Sequence, residues 1–189
     1  MSYSFEGRDA NDTARMLGRY LHDNLGQDAA ISFIGHSLGC RVTLETIKRL
    51  DLFRRRARQV CLMAPAVDDD SLSGPAEYLA EVRNVDRVAV MSSRKDTVLK
   101  YAYPAGDLLQ AFVFASETAD MALGFHGPRA HRQSGTGVPG NVFDLRIPVD
   151  RGAGHGDYVP GSPANEKQRT AAAFADDVIS GNAAPRYAF

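Results

Sequence analysis

Apolar residues recur at Ala14, Leu17, Leu21 and Leu25, three or four positions apart. This spacing predicts an amphipathic helix over Asp9 to Leu25, ended by Gly26. The run Ala29 to Ile34 is short and mostly apolar, which suits a buried strand, and Gly35 breaks it. Leu38, Val42, Ile47 and Leu50 return to helical spacing and predict a helix from Ser37 to about Leu50. Gln59 to Ala64 and Arg87 to Ser92 are two further apolar strands, with a weaker helix over Pro75 to Val82 between them. Tyr101 to about Leu123 is helical in composition. Asn141 to Ile147 alternates as a fourth strand and is closed by Pro148, and Asn165 to Ile179 predicts a last helix.

Strands that alternate with helices imply an α/β fold, a mostly parallel sheet with helices on both faces. The expected organisation is one domain over residues 1–180, followed by a flexible tail over 181–189. The glycine-rich stretch Gly124 to Gly140 reads as a long loop within that domain. It contains Gly135-Thr136-Gly137-Val138-Pro139-Gly140, a match to G-x-G-x-x-G. A dinucleotide site needs a strand before that motif and a helix after it, and here a strand follows, so the match carries no nucleotide-binding reading.

Composition narrows the partners. The 189 residues carry a net charge of −1, which gives no field for nucleic acid or anionic membrane. The four arginines at 54, 55, 56 and 58 lie among acidic neighbours and read as a solvated turn. No basic start leads into an apolar run and no segment approaches a membrane span, so a soluble cytoplasmic protein is expected. The two cysteines, Cys40 and Cys61, have no metal-ligand spacing and read as buried apolar residues.

The candidate chemistry lies in Gly35-His36-Ser37-Leu38-Gly39, which fits G-x-S-x-G between a strand and a helix. A serine hydroxyl is a poor nucleophile at neutral pH; it needs an imidazole to take its proton and a carboxylate to orient that imidazole. In open parallel sheets, ligand sites form beyond the carboxyl ends of the strands. Ser37, Asp96 and His155 each follow a predicted strand and run in the chain order of α/β-hydrolase triads. His22, His36, His126 and His131 are placed less well. Asp68, which follows the preceding strand in the run Asp68-Asp69-Asp70, is the alternative acid; the run otherwise reads as a solvated loop with a helix N-cap. The elbow is expected to need small residues at 35 and 39, where its helix packs against its strand. The N–H of Leu38 is the candidate oxyanion donor. Phe112, Val113, Phe114, Met121, Leu123 and Phe125 read either as a substrate pocket or as ordinary core.

With G-H-S-L-G, A-P-A-V-D-D-D and S-S-R-K-D-T-V in place, the chain resembles the α/β-hydrolase superfamily over roughly Tyr3 to Ile179. The resemblance is to its bacterial serine esterase- and lipase-like branch. It implies a serine hydrolase acting on a small-molecule ester or thioester, with no metal or organic cofactor. It also implies about three further strands before the first helix, and a loop there that supplies a second oxyanion donor. Only Tyr3 to Glu6 stands before that helix, so an N-terminally truncated fold is expected, with activity impaired by the missing loop. The alternative is a catalytically silent hydrolase fold that serves as an interaction module. The loss of the neighbouring strand leaves Ala29 to Ile34 as an open apolar edge, expected to be covered by Tyr3 to Glu6 or by a second copy in a homodimer.

Overall fold

A computed structural model of the chain describes residues 3–75, 77–103, 121–147, 152–159, 161 and 163–182. Helix α1 (Tyr3–Asn24) leads into strand β1 (Ile31–His36), helix α2 (Leu38–Leu52) and strand β2 (Ala57–Met63). The short α3 (Leu79–Arg83) precedes β3 (Arg87–Ser93), and α4 is described over residues 97–103. After these come α5 (Leu123–His126), β4 (Val142–Ile147), a single 3₁₀ turn (His155–Tyr158) and α6 (Glu166–Ile179). The four strands form one sheet in the order β1-β2-β3-β4, and every pairing is parallel.

Register explains where a site can form. His36 pairs with Met63, Met63 with Met91, and Ser93 with Ile147, so the carboxyl ends of the strands stand nearly level. The segments that leave them emerge along one rim. The sheet is packed on both faces because β2 and β3 alternate two apolar sets. Val60, Leu62, Val88 and Val90 meet Leu44 and Ile47 of α2 and Val82 of α3. Cys61, Met63, Ala89 and Met91 meet Phe174, Ala175 and Val178 of α6, with Tyr158 and Phe125. Burial on both faces is why these two strands read as continuous apolar runs. Both cysteines are buried free thiols, and burial pushes Cys61 up to about 12, so neither is a thiolate at neutral pH.

Several sequence expectations change. The first strand lies two residues later than Ala29 to Ile34 and continues through Gly35 and His36, since a glycine backbone still pairs with Leu62. Tyr3 to Glu6 belongs to α1 and does not pair with the sheet; among the described residues β1 has a strand on one side only. The helix expected over Tyr101 to Leu123 already includes residue 97, and residues 121–122 are extended, with Ala122 bridged to Asp68. Residues 104–120, with Phe112, Val113 and Phe114, lie outside the described residues, as do positions 183–189 of the expected tail. Of the remaining candidate pocket residues, Leu123 and Phe125 are core.

The arginine run is not simply solvated. Arg55 is buried, and its guanidinium donates to the carbonyls of Leu25 and Gly26 at 2.8 Å each, which closes the carboxyl end of α1. Arg56 and Arg58 pair with Asp86. Asn165, where the last helix is expected to start, caps α6: its side chain accepts from the Gln168 N–H, and Gln168 Oε1 accepts from the Asn165 N–H, each at 2.9 Å.

Candidate active site

The turn from β1 into α2 is strained at its centre. Ser37 has φ 54° and ψ −124°, a conformation that costs a residue with a Cβ of order 1–3 kcal/mol. The surroundings enforce it. The Ser37 N–H donates to the Met63 carbonyl at 3.0 Å, and the Ser37 carbonyl accepts from Cys40 at 3.0 Å and Ala66 at 3.3 Å. The elbow is thereby pinned to the end of β2. A Cβ on Gly35 would lie 2.9 Å from Cys40 Cα and 2.9 Å from Thr43 Oγ1, so glycine there lets α2 close on its own strand. Gly39 differs from expectation: a Cβ on it would meet nothing within 4 Å among the described residues, none of which requires a small residue there.

Ser37, His155 and Asp96 are brought together in line. His155 Nε2 lies 2.9 Å from Ser37 Oγ, and His155 Nδ1 lies 2.8 Å from Asp96 Oδ2. Asp96 has no exposed surface, and its Oδ1 accepts from the Leu99 N–H at 2.9 Å. It caps the amino end of α4 with one oxygen and faces His155 with the other. An ionised carboxylate only accepts, so Nδ1 carries the imidazole proton and Nε2 is free to accept from the serine hydroxyl. The helix end favours negative charge on Asp96.

Asp68, the alternative acid, is placed elsewhere. It accepts from the Tyr103 hydroxyl at 2.6 Å, and burial raises its carboxyl above the usual range. The Leu38 N–H stands at the first position of α2, where no intrahelical carbonyl can accept it. Two residues that sequence reasoning passed over also enter the site. His36 Nε2 donates to the main-chain carbonyl of His155 at 2.9 Å, and the Tyr158 ring lies 6.1 Å from the His36 ring. No local pattern reports such contacts, because the partners lie more than a hundred residues apart. No group of three or more histidine, cysteine, aspartate or glutamate side chains among the described residues could hold a metal ion.

Residues 2–107 match the family model described as alpha/beta hydrolase of unknown function (DUF900), which is more than half of the chain. The chain belongs to this family of alpha/beta hydrolases. The matched stretch of this alpha/beta hydrolase contains Ser37, Leu38, Asp68 and Asp96, whereas His155 lies beyond it. A comparison with curated proteins and one with solved structures find no match.

Beside the elbow of the alpha/beta hydrolase, Asp69 organises the glycine-rich loop. It is fully buried, with Oδ2 3.0 Å from His126 Nδ1 and 3.4 Å from Arg129 Nε, and with Arg132 paired to Oδ1. The triple aspartate is therefore not a solvated loop: a carboxylate buried this deeply requires charged partners, and the loop supplies them. Burial lowers the His126 pKa below the ordinary histidine value although Asp69 faces it. A histidine held neutral in the fold takes up its proton more readily when unfolded, so its contribution to stability falls as pH drops below about 6.5. The advantage in melting temperature of wild type over His126→Gln is accordingly expected to shrink between pH 7.5 and 5.5. An advantage that grows on acidification would contradict this placement of the histidine.

Proposed function

We propose that the chain is a serine hydrolase that cleaves a carboxylic ester or thioester. The observation that carries the reading is the continuous hydrogen-bonded line from Ser37 Oγ through both nitrogens of His155 to a fully buried Asp96. Ser37 Oγ attacks the substrate carbonyl while its proton passes to His155 Nε2. Asp96 holds the ring in the accepting tautomer and stabilises the imidazolium that forms. The negative oxygen of the tetrahedral intermediate accepts from the Leu38 N–H. His155 then returns the proton to the departing alkoxide or thiolate, which leaves an acyl group on Ser37. Water, activated by the same imidazole, attacks that acyl carbonyl, and the acid departs as the Ser37 hydroxyl reforms.

The strain at Ser37 supports the same assignment. An over-determined positive φ at a non-glycine residue is the kind of conformation that persists where a side chain must be aimed outward. A fluorophosphonate probe, which reacts with an activated serine, tests the reading on the intact protein. The expected result is one covalent adduct, mapped by mass spectrometry to the peptide containing Ser37. Absence of an adduct, or an adduct that persists in Ser37→Ala, overturns the assignment. Substrates beyond the probe can be sought with a panel of p-nitrophenyl esters of increasing acyl length.

A further inference from the structure

The 3₁₀ turn that carries His155 is attached to the molecule at several points, and only some of them involve the reacting groups. Gly154 N–H donates to Asp157 Oδ2 at 2.8 Å, which closes the turn on itself. Lys167 Nζ reaches the Gly152 carbonyl at 2.8 Å from α6. The backbone of His155 is itself held from the end of β1, by His36 Nε2 at 2.9 Å. The two histidine rings are tilted by 47° with centroids 4.9 Å apart, and Tyr158 at the far end of the turn packs its ring on the same histidine. His36 stands at the last position of β1, in register with Met63, so its Cα is fixed by the sheet.

We infer that His36 is a positioning residue: its Nε2–H, anchored on the sheet, holds the His155 carbonyl and so fixes the imidazole within hydrogen-bond distance of Ser37. The inference rests on the serine-hydrolase reading for its kinetic consequence. His36 touches no reacting atom; it acts through the main chain of the residue that does. The adjacency of residues 36 and 37 has a mechanical result. The same strand end aims the nucleophile and carries the strut for its base, so the two move as one body when the sheet breathes. Ring burial favours this arrangement, because it lowers the His36 pKa and keeps the ring from presenting a second positive charge to the imidazolium.

Three substitutions test the strut. Glutamine places an amide nitrogen the same number of bonds from Cα as Nε2 and keeps the donor. Asparagine keeps a donor but falls one bond short, and leucine removes it. A base displaced by about 1 Å loses up to about 100-fold, so His36→Asn and His36→Leu are expected to lower kcat on p-nitrophenyl acetate by about 10- to 100-fold with KM within about twofold. His36→Gln is expected to recover most of that loss, with melting temperatures recorded to show that all variants are folded. Full kcat in His36→Asn, or His36→Gln falling as far as His36→Asn, overturns the inference.

A second readout separates it from the proposed reaction. If wild type hydrolyses no ester and takes no probe, the serine-hydrolase reading has failed, and the strut is then read by proton NMR. The Nδ1–H of His155, bridged to Asp96, should give a protected low-field resonance in wild type and His36→Gln that is lost in His36→Asn. Its persistence in all three overturns the inference independently of activity.

Discussion

Ser37→Ala is expected to lower ester turnover by on the order of 10⁴-fold or more, with no loss of melting temperature, because the hydroxyl contributes chemistry and the strained backbone carries the alanine as well as the serine. His155→Ala should fall as far, and the double variant no further, since a nucleophile without its base and a base without its nucleophile are equally disabled. Asp96→Asn is the more informative variant. Its amide oxygen can still accept from Leu99 and keep the cap on α4, so the fold should survive. Its amide nitrogen, turned toward His155, would then donate to Nδ1 and drive the ring proton to Nε2, where it blocks acceptance from Ser37. A loss of about 10⁴-fold in kcat with an intact thermal transition is the expected outcome. Steady-state hydrolysis of an activated ester, with calorimetry on each variant, decides it. Additive losses in the double variant would mean that Ser37 and His155 do not act as a unit.

The largest expected effect on stability comes from a residue with no chemistry. A Cβ on Gly124 would lie 2.5 Å from Leu99 Cδ1 and 2.6 Å from Pro65 N, and would collide with the main-chain carbon of Ala64. None of these neighbours is free to move. The Gly124 N–H is bonded to the Pro65 carbonyl at 2.9 Å, Ala64 is bonded to Met91 at 3.1 Å, and Ala64 is itself held at φ 45°. Gly124→Ala must therefore separate α5 from the end of β2, at a cost of about 3 kcal/mol or roughly 6–12 °C in melting temperature. Gly39→Ala is the internal control. It lies inside α2 with open space where its Cβ would go, and is expected to stabilise by about 0.4–1 kcal/mol. Thermal denaturation followed by circular dichroism measures both, and a Gly124→Ala variant that melts within about 2 °C of wild type would refute the packing argument.

The parts of the fold that sequence predicted well are those in which one physical cause dominates. Val60 to Met63 and Val88 to Met91 are apolar on both faces because α2 and α3 cover one and α6 the other, so a continuous run was enough to place β2 and β3. Apolar spacing alone placed α6, and the structure shows Asn165 and Gln168 capping it by a local exchange of hydrogen bonds at the expected start. β1 was shifted because Ala29 and Ala30 look apolar yet are exposed before the strand begins, and because Gly35 resembles a breaker although pairing uses only its backbone. The helix expected around Tyr101 to Leu123 was displaced at its described ends, since Asp96 caps it earlier and Ala122 is drawn into a bridge with Asp68.

For the site, G-x-S-x-G, placement beyond strand ends and the chain order of hydrolase triads together pointed to Ser37, Asp96 and His155, with Asp68 left open as the acid; the structure places Ser37, His155 and Asp96 in line at 2.9 and 2.8 Å. Three neighbouring aspartates could not be told apart by composition alone. Among the described residues Asp69 is distinguished by His126, Arg129 and Arg132, which follow it by 57 or more positions, and Asp68 by Tyr103. The role of His36 was hidden for the same reason. It looked like a mere neighbour of the serine until the turn at His155 was laid across it.

The distance along the chain between the reacting groups has a consequence for the protein's life before it is finished. Ser37 and His155 are separated by 118 positions, and His155 is carried by the turn between β4 and α6, which is synthesised after β1, β2 and β3. A nascent or clipped chain that has assembled only β1, β2 and β3 has Ser37 and Asp96 but lacks the His155 imidazole that bridges them. On the proposed mechanism it is inert toward acyl groups. On that mechanism, reactivity is thus withheld until the segment that carries His155 docks, so that a half-made copy cannot acylate itself.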